Sequence, residues 1–245
     1  MYVLRIFMVK KFPVALIAIP IRISTWLKAR FFPYSWLPPI LRFKRDGWNE
    51  RIYNSAPPVE GASVVIFGGY LGQSTHDWMR RLPGATFDVF EPVPTFADQI
   101  RLRFPENEVR VHPYGVSQIY ETRVFRILGD ATFSEGALTP VKRGGYGIKV
   151  PVEFRAASEL ERILPSRIYI LEVNIEGGEY ELLPLLVRHE VITRVHHVFV
   201  QFHDVGKDTE GLIANVREEI MKSHELVWGY HLVWEYWRLR VPTLQ

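Results

Sequence analysis

Four clusters of residues carry groups that can do chemistry, and each sits where an apolar run ends. The first is Gly68-Gly69-Tyr70-Leu71-Gly72-Gln73-Ser74, directly after the β-branched run at 63–67. Glycines between a strand and a helix let the backbone approach a ligand, and the helix start offers free N–H groups. Alone, this pattern also suits a plain tight turn. The second is Glu91, in Phe90-Glu91-Pro92, 19 positions after Gly72. An acid at that distance, at the end of the next strand, is placed to accept hydrogen bonds from ribose hydroxyls. The two together point to an adenosine-type cofactor.

The third cluster is Glu172-Val173-Asn174-Ile175-Glu176-Gly177-Gly178-Glu179, at the end of the apolar run 167–174. Ligands of open α/β sheets bind at such carboxyl ends. A carboxylate inside an apolar strand is costly unless paired. Glu172 therefore faces a polar site or a solvated edge. The fourth is Gln201-Phe202-His203-Asp204, after the run 194–201. A histidine there is a candidate general base near neutral pH. Asp204 either orients it or caps the turn.

These clusters need elements to position them. Strands are expected at 63–67, 86–90, 108–112, 167–174 and 194–201, and helices at 75–82, 95–103, 157–164, 178–188 and 208–223. Pro184 is expected to kink or shorten its helix. Residues 120–150 read as irregular strands and a loop with Gly144, Gly145 and Gly147. The aromatic alternation at 225–241 predicts an antiparallel hairpin. Ser55-Ala56-Pro57-Pro58 reads as a linker, dividing a segment 1–54 from a body 55–245. Strand–helix alternation closed by a hairpin means a doubly wound α/β sheet with an antiparallel edge.

The charge is divided in the same place. The 245 residues carry 30 Lys+Arg and 27 Asp+Glu, for a net charge of +3. Nine of the cations, and no acid, fall in the first 45 residues, so positions 46–245 carry a net −6. The acidic body argues against a nucleic-acid partner. The run 12–21 is too short to cross a bilayer. Its cations and the aromatic residues Phe7, Trp26, Phe31, Tyr34 and Trp36 make residues 1–45 a basic amphipathic segment. It suits an anionic membrane surface, or packing on the body or on another subunit. With no cysteine, disulfides, thiolate nucleophiles and Cys-ligated metals are excluded, and a cytoplasmic location, peripheral on a membrane, is compatible.

In order, the glycine loop, Phe90-Glu91-Pro92, Tyr114-Gly115-Val116-Ser117 and Asn174-Ile175-Glu176-Gly177-Gly178-Glu179 resemble the FkbM-type S-adenosylmethionine-dependent methyltransferases, over about residues 63–203. The resemblance implies a Rossmann-like seven-stranded methyltransferase sheet whose reversed edge strand comes from the C-terminal hairpin. It implies S-adenosylmethionine as cofactor, with Gly68, Gly69, Tyr70, Gly72, Gln73 and Ser74 on the methionine side. Glu91 would hold the ribose, and Val116 and Ser117 would lie by the adenine. It implies O-methylation of a saccharide, glycolipid or related metabolite, including a lipid-linked acceptor. No metal is implied. His203 is the expected base, with Glu176 as the second candidate. The chain departs from the family pattern at Ile66 and Asn174, where Asp is usual, at Glu172, where Lys is usual, and at Gln201, where Glu is usual. The alternatives are a methyltransferase-like scaffold with reduced catalysis and a nicotinamide-dependent oxidoreductase.

Overall fold

The computed structural model describes residues 37–128, 131–134, 147–206 and 208–240. Residues 1–36 of the basic segment, with the run 12–21, and Gly144 and Gly145 lie outside the described residues. Two short helices come first, α1 (Pro39–Arg45) and α2 (Asn49–Ser55). Then β1 (Ser63–Phe67), α3 (Gln73–Arg81), β2 (Thr86–Phe90), α4 (Pro94–Arg103) and β3 (Val109–His112) alternate. An insert follows, made of β4 (Gly115–Ser117), β5 (Glu121–Leu128), β6 (Ala131–Ser134) and β7 (Ile148–Ala156). A 3-10 turn (Ala157–Glu159) leads into α5 (Leu160–Ile163). The alternation resumes with β8 (Ile168–Val173), α6 (Glu179–Arg188), β9 (Val195–Val200) and α7 (Thr209–Met221), and closes on β10 (His224–Tyr230) and β11 (Trp234–Leu239).

The main sheet has seven strands in the order β10-β11-β9-β8-β1-β2-β3. β1 pairs parallel with β2 and β8, and the parallel run continues to β3 and β9. β11 is antiparallel to both its neighbours. The chain proceeds one way from β1 and later returns to its other side at β8. The switch point therefore lies at the carboxyl ends of β1 and β8, where open sheets leave a crevice. The central strands are buried on both faces, as parallel strands require. On one face Leu183 and Leu186 of α6 and Val216 of α7 pack on Val65, Leu171 and Val198. On the other, Ile52, Trp78 and Ile100, from α2, α3 and α4, pack on Val64, Ile66 and Phe199. Each such fully buried side chain contributes about 1.5–3 kcal/mol.

Three local expectations are corrected. The described residues of 120–150 form regular strands. β5 pairs with β7 continuously from Glu121↔Phe154 to Ile127↔Ile148, and a second sheet forms in the order β4-β7-β5-β6. Charged residues interleave with the apolar ones on both strands, which hides the alternation. Of the kink and the early end expected at Pro184, the early end does not occur, because α6 runs on to Arg188. The stretch 55–58 is no free linker. Ala56 is fully buried, Trp228 Nε1 donates to Ser55 Oγ (2.9 Å), and the Tyr169 hydroxyl donates to Pro57 O (2.6 Å). Phe43 of α1 packs 5.2 Å from the Tyr230 ring, so residues 39–56 form part of one face of the sheet. Among the described residues, no helix is long and apolar enough to cross a membrane.

Candidate active site

The loop after β1 is built by close approach. Gly68 has φ +94°, and a Cβ on it would lie 2.0 Å from the Asn174 carbonyl oxygen. The next strand's loop occupies that space, so only glycine fits. Gly68 N donates to Phe90 O (3.0 Å), tying the loop to the end of β2. Glu91 is tied back in turn. Its Oε2 accepts from Tyr70 N (2.7 Å) and its Oε1 from Val93 N (2.9 Å). Glu91 is buried, and desolvation pushes its carboxyl up to about 7, against the opposite pull of the two amides. Tyr70 holds φ +44°, unusual for a bulky residue.

These groups face a cavity of about 240 Å3 at the switch point. β1 and its loop supply Phe67, Gly68 and Tyr70, and β2 supplies Phe90 and Glu91. Tyr114, Gly115 and Val116 come from the approach to β4 and its start. Asn174, Glu176, Gly177 and Gly178 come from the β8–α6 loop, with Glu181 and Leu182 from α6. Arg123, Phe125 and Phe154 reach in from the insert.

Of the residues expected to bind the cofactor or act as base, Gly68, Tyr70, Glu91, Val116 and Glu176 meet in this wall. The others stand outside it, for visible reasons. Gly69 is packed against β2 and α4, where a Cβ would meet Val89 Cγ1 at 2.5 Å. Gly72 caps α3 in a left-handed conformation. Gln73 Nε2 donates to Asp77 (3.2 Å) on the exposed side of α3. Ser74 donates to Glu172, and Ser117 donates to Ile119 O (2.6 Å).

His203 also lies outside the wall, directly behind Glu176. Its Nε2 is 3.7 Å from Glu176 Oε1, and its Nδ1 is 3.1 Å from Glu179 Oε1. Glu179 is fully buried and also accepts from His203 N (2.8 Å) and Gly177 N (2.8 Å). A carboxylate on Nδ1 fixes that nitrogen as the donor and turns Nε2 toward Glu176. Glu176 itself holds φ +50°, a second strained residue in the wall. Asp204 does not orient His203. Its Oδ1 accepts from Gly206 N (3.1 Å) and Thr209 Oγ1 (3.1 Å), so it caps the turn into α7.

Glu172 faces neither a ligand site nor a solvated edge. It is buried under α3, where Ser74 Oγ and Trp78 Nε1 (2.7 Å) donate to it. Burial raises its pKa, against those two hydrogen bonds. Ile66 is its register partner on β1 and is likewise buried. Two of the four departures are thus neighbours on adjacent strands, and the Glu172 carboxyl is held there by two neutral donors. That pair lies outside the cavity wall. Of the departures, only Asn174 lines it.

Sequence reasoning missed the insert's side chains. Arg123 Nη1 and Nη2 donate to the two oxygens of Glu181 (2.7 and 2.7 Å), and Arg123 Nε donates to Glu121 Oε1 (3.0 Å). Its guanidinium lies 4.2 Å over the Phe154 ring. Their signal was the alternation Glu121, Arg123, Phe125, Ile127 along one strand face. Tyr114 was quoted only as part of a motif. Its hydroxyl lies 3.2 Å from His112 Nδ1, whose Nε2 meets buried Asp88 at 2.8 Å. Among the described residues, no group of three or more His, Asp or Glu side chains is arranged to hold a metal.

No protein-family model matches the sequence, and no curated protein matches it. Solved structures do. A candidate rRNA methylase from Clostridium thermocellum superposes with a TM-score of 0.51 at 7% identity, covering 80% of this chain and 96% of that one. A precorrin-6y C5,15-methyltransferase from Geobacter metallireducens gives 0.45 at 10% identity, covering 79% and 88%. A candidate methyltransferase from Streptococcus mutans in complex with SAH gives 0.46 at 6%, covering 78% and 96%. The first likeness establishes the fold: a Rossmann-like seven-stranded methyltransferase sheet with an antiparallel C-terminal hairpin.

Proposed function

We propose that this chain is an S-adenosylmethionine-dependent O-methyltransferase of the FkbM type, acting on a hydroxyl of a saccharide, glycolipid or related metabolite. The observation that carries the reading is the placement of Glu91. It stands at the carboxyl end of β2, beside the loop of β1, with both oxygens held by backbone amides and facing a cavity at the switch point. Each oxygen keeps a lone pair for a ribose hydroxyl. Phe90, Tyr114 and Val116 offer a mostly apolar surface to a flat base. The residues present therefore suit a nucleoside. The methionine end would meet Gly68, Tyr70 and Asn174, without the carboxylate usual at position 174.

Bound S-adenosylmethionine supplies an electrophilic methyl group that needs no metal for transfer to oxygen. The chain's task is to orient an acceptor hydroxyl and take its proton. Of the carboxylates in the wall, Glu91 is held by two amides and Glu181 is paired with Arg123, so Glu176 receives that proton, with His203 Nε2 behind it and Glu179 fixing the ring. The order of the two candidates is thus reversed from the sequence reading. An acceptor of hydroxyls suits a cavity lined by Glu91, Glu176 and Glu181 with a single Arg123. The net −6 of residues 46–245 opposes a nucleic-acid acceptor.

Isothermal titration with S-adenosylmethionine, S-adenosylhomocysteine and NAD tests the reading. Binding of the first two and not the third is expected. Binding of NAD alone would make the chain an oxidoreductase. Binding of none would leave a scaffold without cofactor. Glu91→Ala should lower the affinity at least about tenfold, the cost of losing a buried charged acceptor.

A further inference from the structure

The outward side of α1 and the turn that follows it play no part in the site. Ile40, Lys44 and Trp48 follow one another at a spacing of four, and all three are exposed, Ile40 by 41% and Trp48 by 38%. Lys44 Nζ lies 4.3 Å over the Trp48 ring. Trp48 holds φ +53° and ψ −137° just before α2, a conformation rare for a bulky L residue. Strain of this kind persists only where the surroundings impose it. They do so here: Phe43 is buried against Tyr230 and the Trp48 ring (5.7 Å), and the Tyr230 hydroxyl donates to Asp46. The indole is therefore held at the surface between Phe43 and Lys44, with part of it exposed.

A surface indole flanked by a lysine and an isoleucine suits the boundary between lipid headgroups and acyl chains. Charge selects the kind of lipid. The first 45 residues carry nine cations and no acid, while the rest of the chain is acidic. Position adds an orientation. Tyr230 ends β10 opposite Trp234, and the adjoining Glu235 pairs with Val200 at the carboxyl end of β9. Tyr230, on which α1 packs through Phe43, thus lies at the edge of the sheet where the parallel strands end, and Phe67 opens to the cavity at that edge.

We propose that the Ile40, Lys44 and Trp48 stripe docks on an anionic bilayer surface and turns the cavity edge of the sheet toward the lipid. The full chain is sedimented with vesicles of phosphatidylcholine alone and with about one third phosphatidylglycerol, at low and high salt. The wild type pellets with the anionic vesicles, less so in salt. Ile40→Asp with Trp48→Ala lowers the partition coefficient about tenfold. Lys44→Glu, at an exposed position that folding tolerates, lowers it about fivefold. Trp48→Phe reduces quenching of the protein's fluorescence by brominated lipid. Equal pelleting of wild type and variants overturns the proposal, as does salt-independent pelleting with neutral vesicles. Retention on duplex RNA without vesicle binding overturns it as well.

Discussion

The cavity has two walls made in different ways. The wall at the ends of β1 and β2 is backbone. Gly68 leans on the Asn174 carbonyl, and Glu91 is clamped by two main-chain amides. The wall from the insert is side chain, with Arg123, Phe125 and Phe154 standing on a separate four-stranded sheet. Main-chain geometry is set by the fold and changes little when residues are exchanged. Side chains on an appended sheet can change without touching the core. Under the proposed function, the first wall would hold the constant ligand, the cofactor, and the second the variable one, the acceptor. Mutations that respect this division sharpen it, and a mutation that crosses it breaks it.

The largest effect belongs to the backbone wall. Gly68→Ala places a methyl 2.0 Å from a backbone oxygen at φ +94°, so the loop or the β8–α6 turn must move. Loss of about 4 kcal/mol or more is expected in denaturant unfolding, with cofactor binding abolished in the fraction that folds. Next comes the carboxylate under that wall. Glu172→Leu leaves Ser74 and Trp78 Nε1 without an acceptor in a dry site. A cost of about 2–3 kcal/mol follows, and Glu172→Gln, which keeps an acceptor, should recover most of it. Equal loss in both variants would mean that the charge, and not the hydrogen bonding, holds α3.

The same division explains what the sequence disclosed. β1, β2, β8 and β9 are buried on both faces, so their residues form apolar runs that periodicity detects. The loops at their carboxyl ends carry Gly68, Glu91 and Glu176, all singled out in the sequence and all lining the cavity. β5 and β7 alternate Glu, Arg and Lys with Phe and Val on a half-exposed sheet, and that pattern reads as loop. Arg123 and Glu181 lie 58 residues apart, and only the folded chain shows them joined. Glu172 was visible as an anomaly. Its resolution required knowing that Ile66 stands beside it and that α3 covers both.

Glu91 ties the backbone wall to pH. Its carboxyl is raised by burial to about 7 from an ordinary 4.5. Between those values the folded chain binds a proton that the unfolded chain has lost. Stability therefore falls as pH rises through this window, and this group changes nothing further above it. The slope is at most about 1.4 kcal/mol per pH unit. Glu91→Gln should flatten the urea-midpoint profile there, lowering stability below about pH 5, where one amide loses its acceptor, and not near pH 7, where it also removes the buried charge. Ribose hydroxyls prefer the ionised form, so cofactor binding near pH 7 should release about half a proton. Titrations in buffers of different ionisation enthalpy measure that release. An unchanged slope in Glu91→Gln would assign the pH dependence to another group.

The smallest effect on stability tests the other wall. Arg123 is bidentate with Glu181, but the Glu181 side chain is 41% exposed, so the pair is screened. Arg123→Ala should cost only about 1 kcal/mol in thermal unfolding. Its consequence lies elsewhere. Arg123 joins the insert to α6 and covers Phe154, so without it the side-chain wall loses its shape while Gly68 and Glu91 keep theirs. S-adenosylhomocysteine should bind within about twofold of the wild type, because lost exposed ion pairs seldom propagate. Turnover of whatever hydroxyl acceptor is found should fall with a raised KM. Arg123→Lys should rescue it poorly, since an ammonium cannot pair with both oxygens of Glu181 and stack on Phe154 at once. If Arg123→Ala weakens cofactor binding as much as Glu91→Ala does, the two walls are one unit, and acceptor choice cannot evolve separately from cofactor binding.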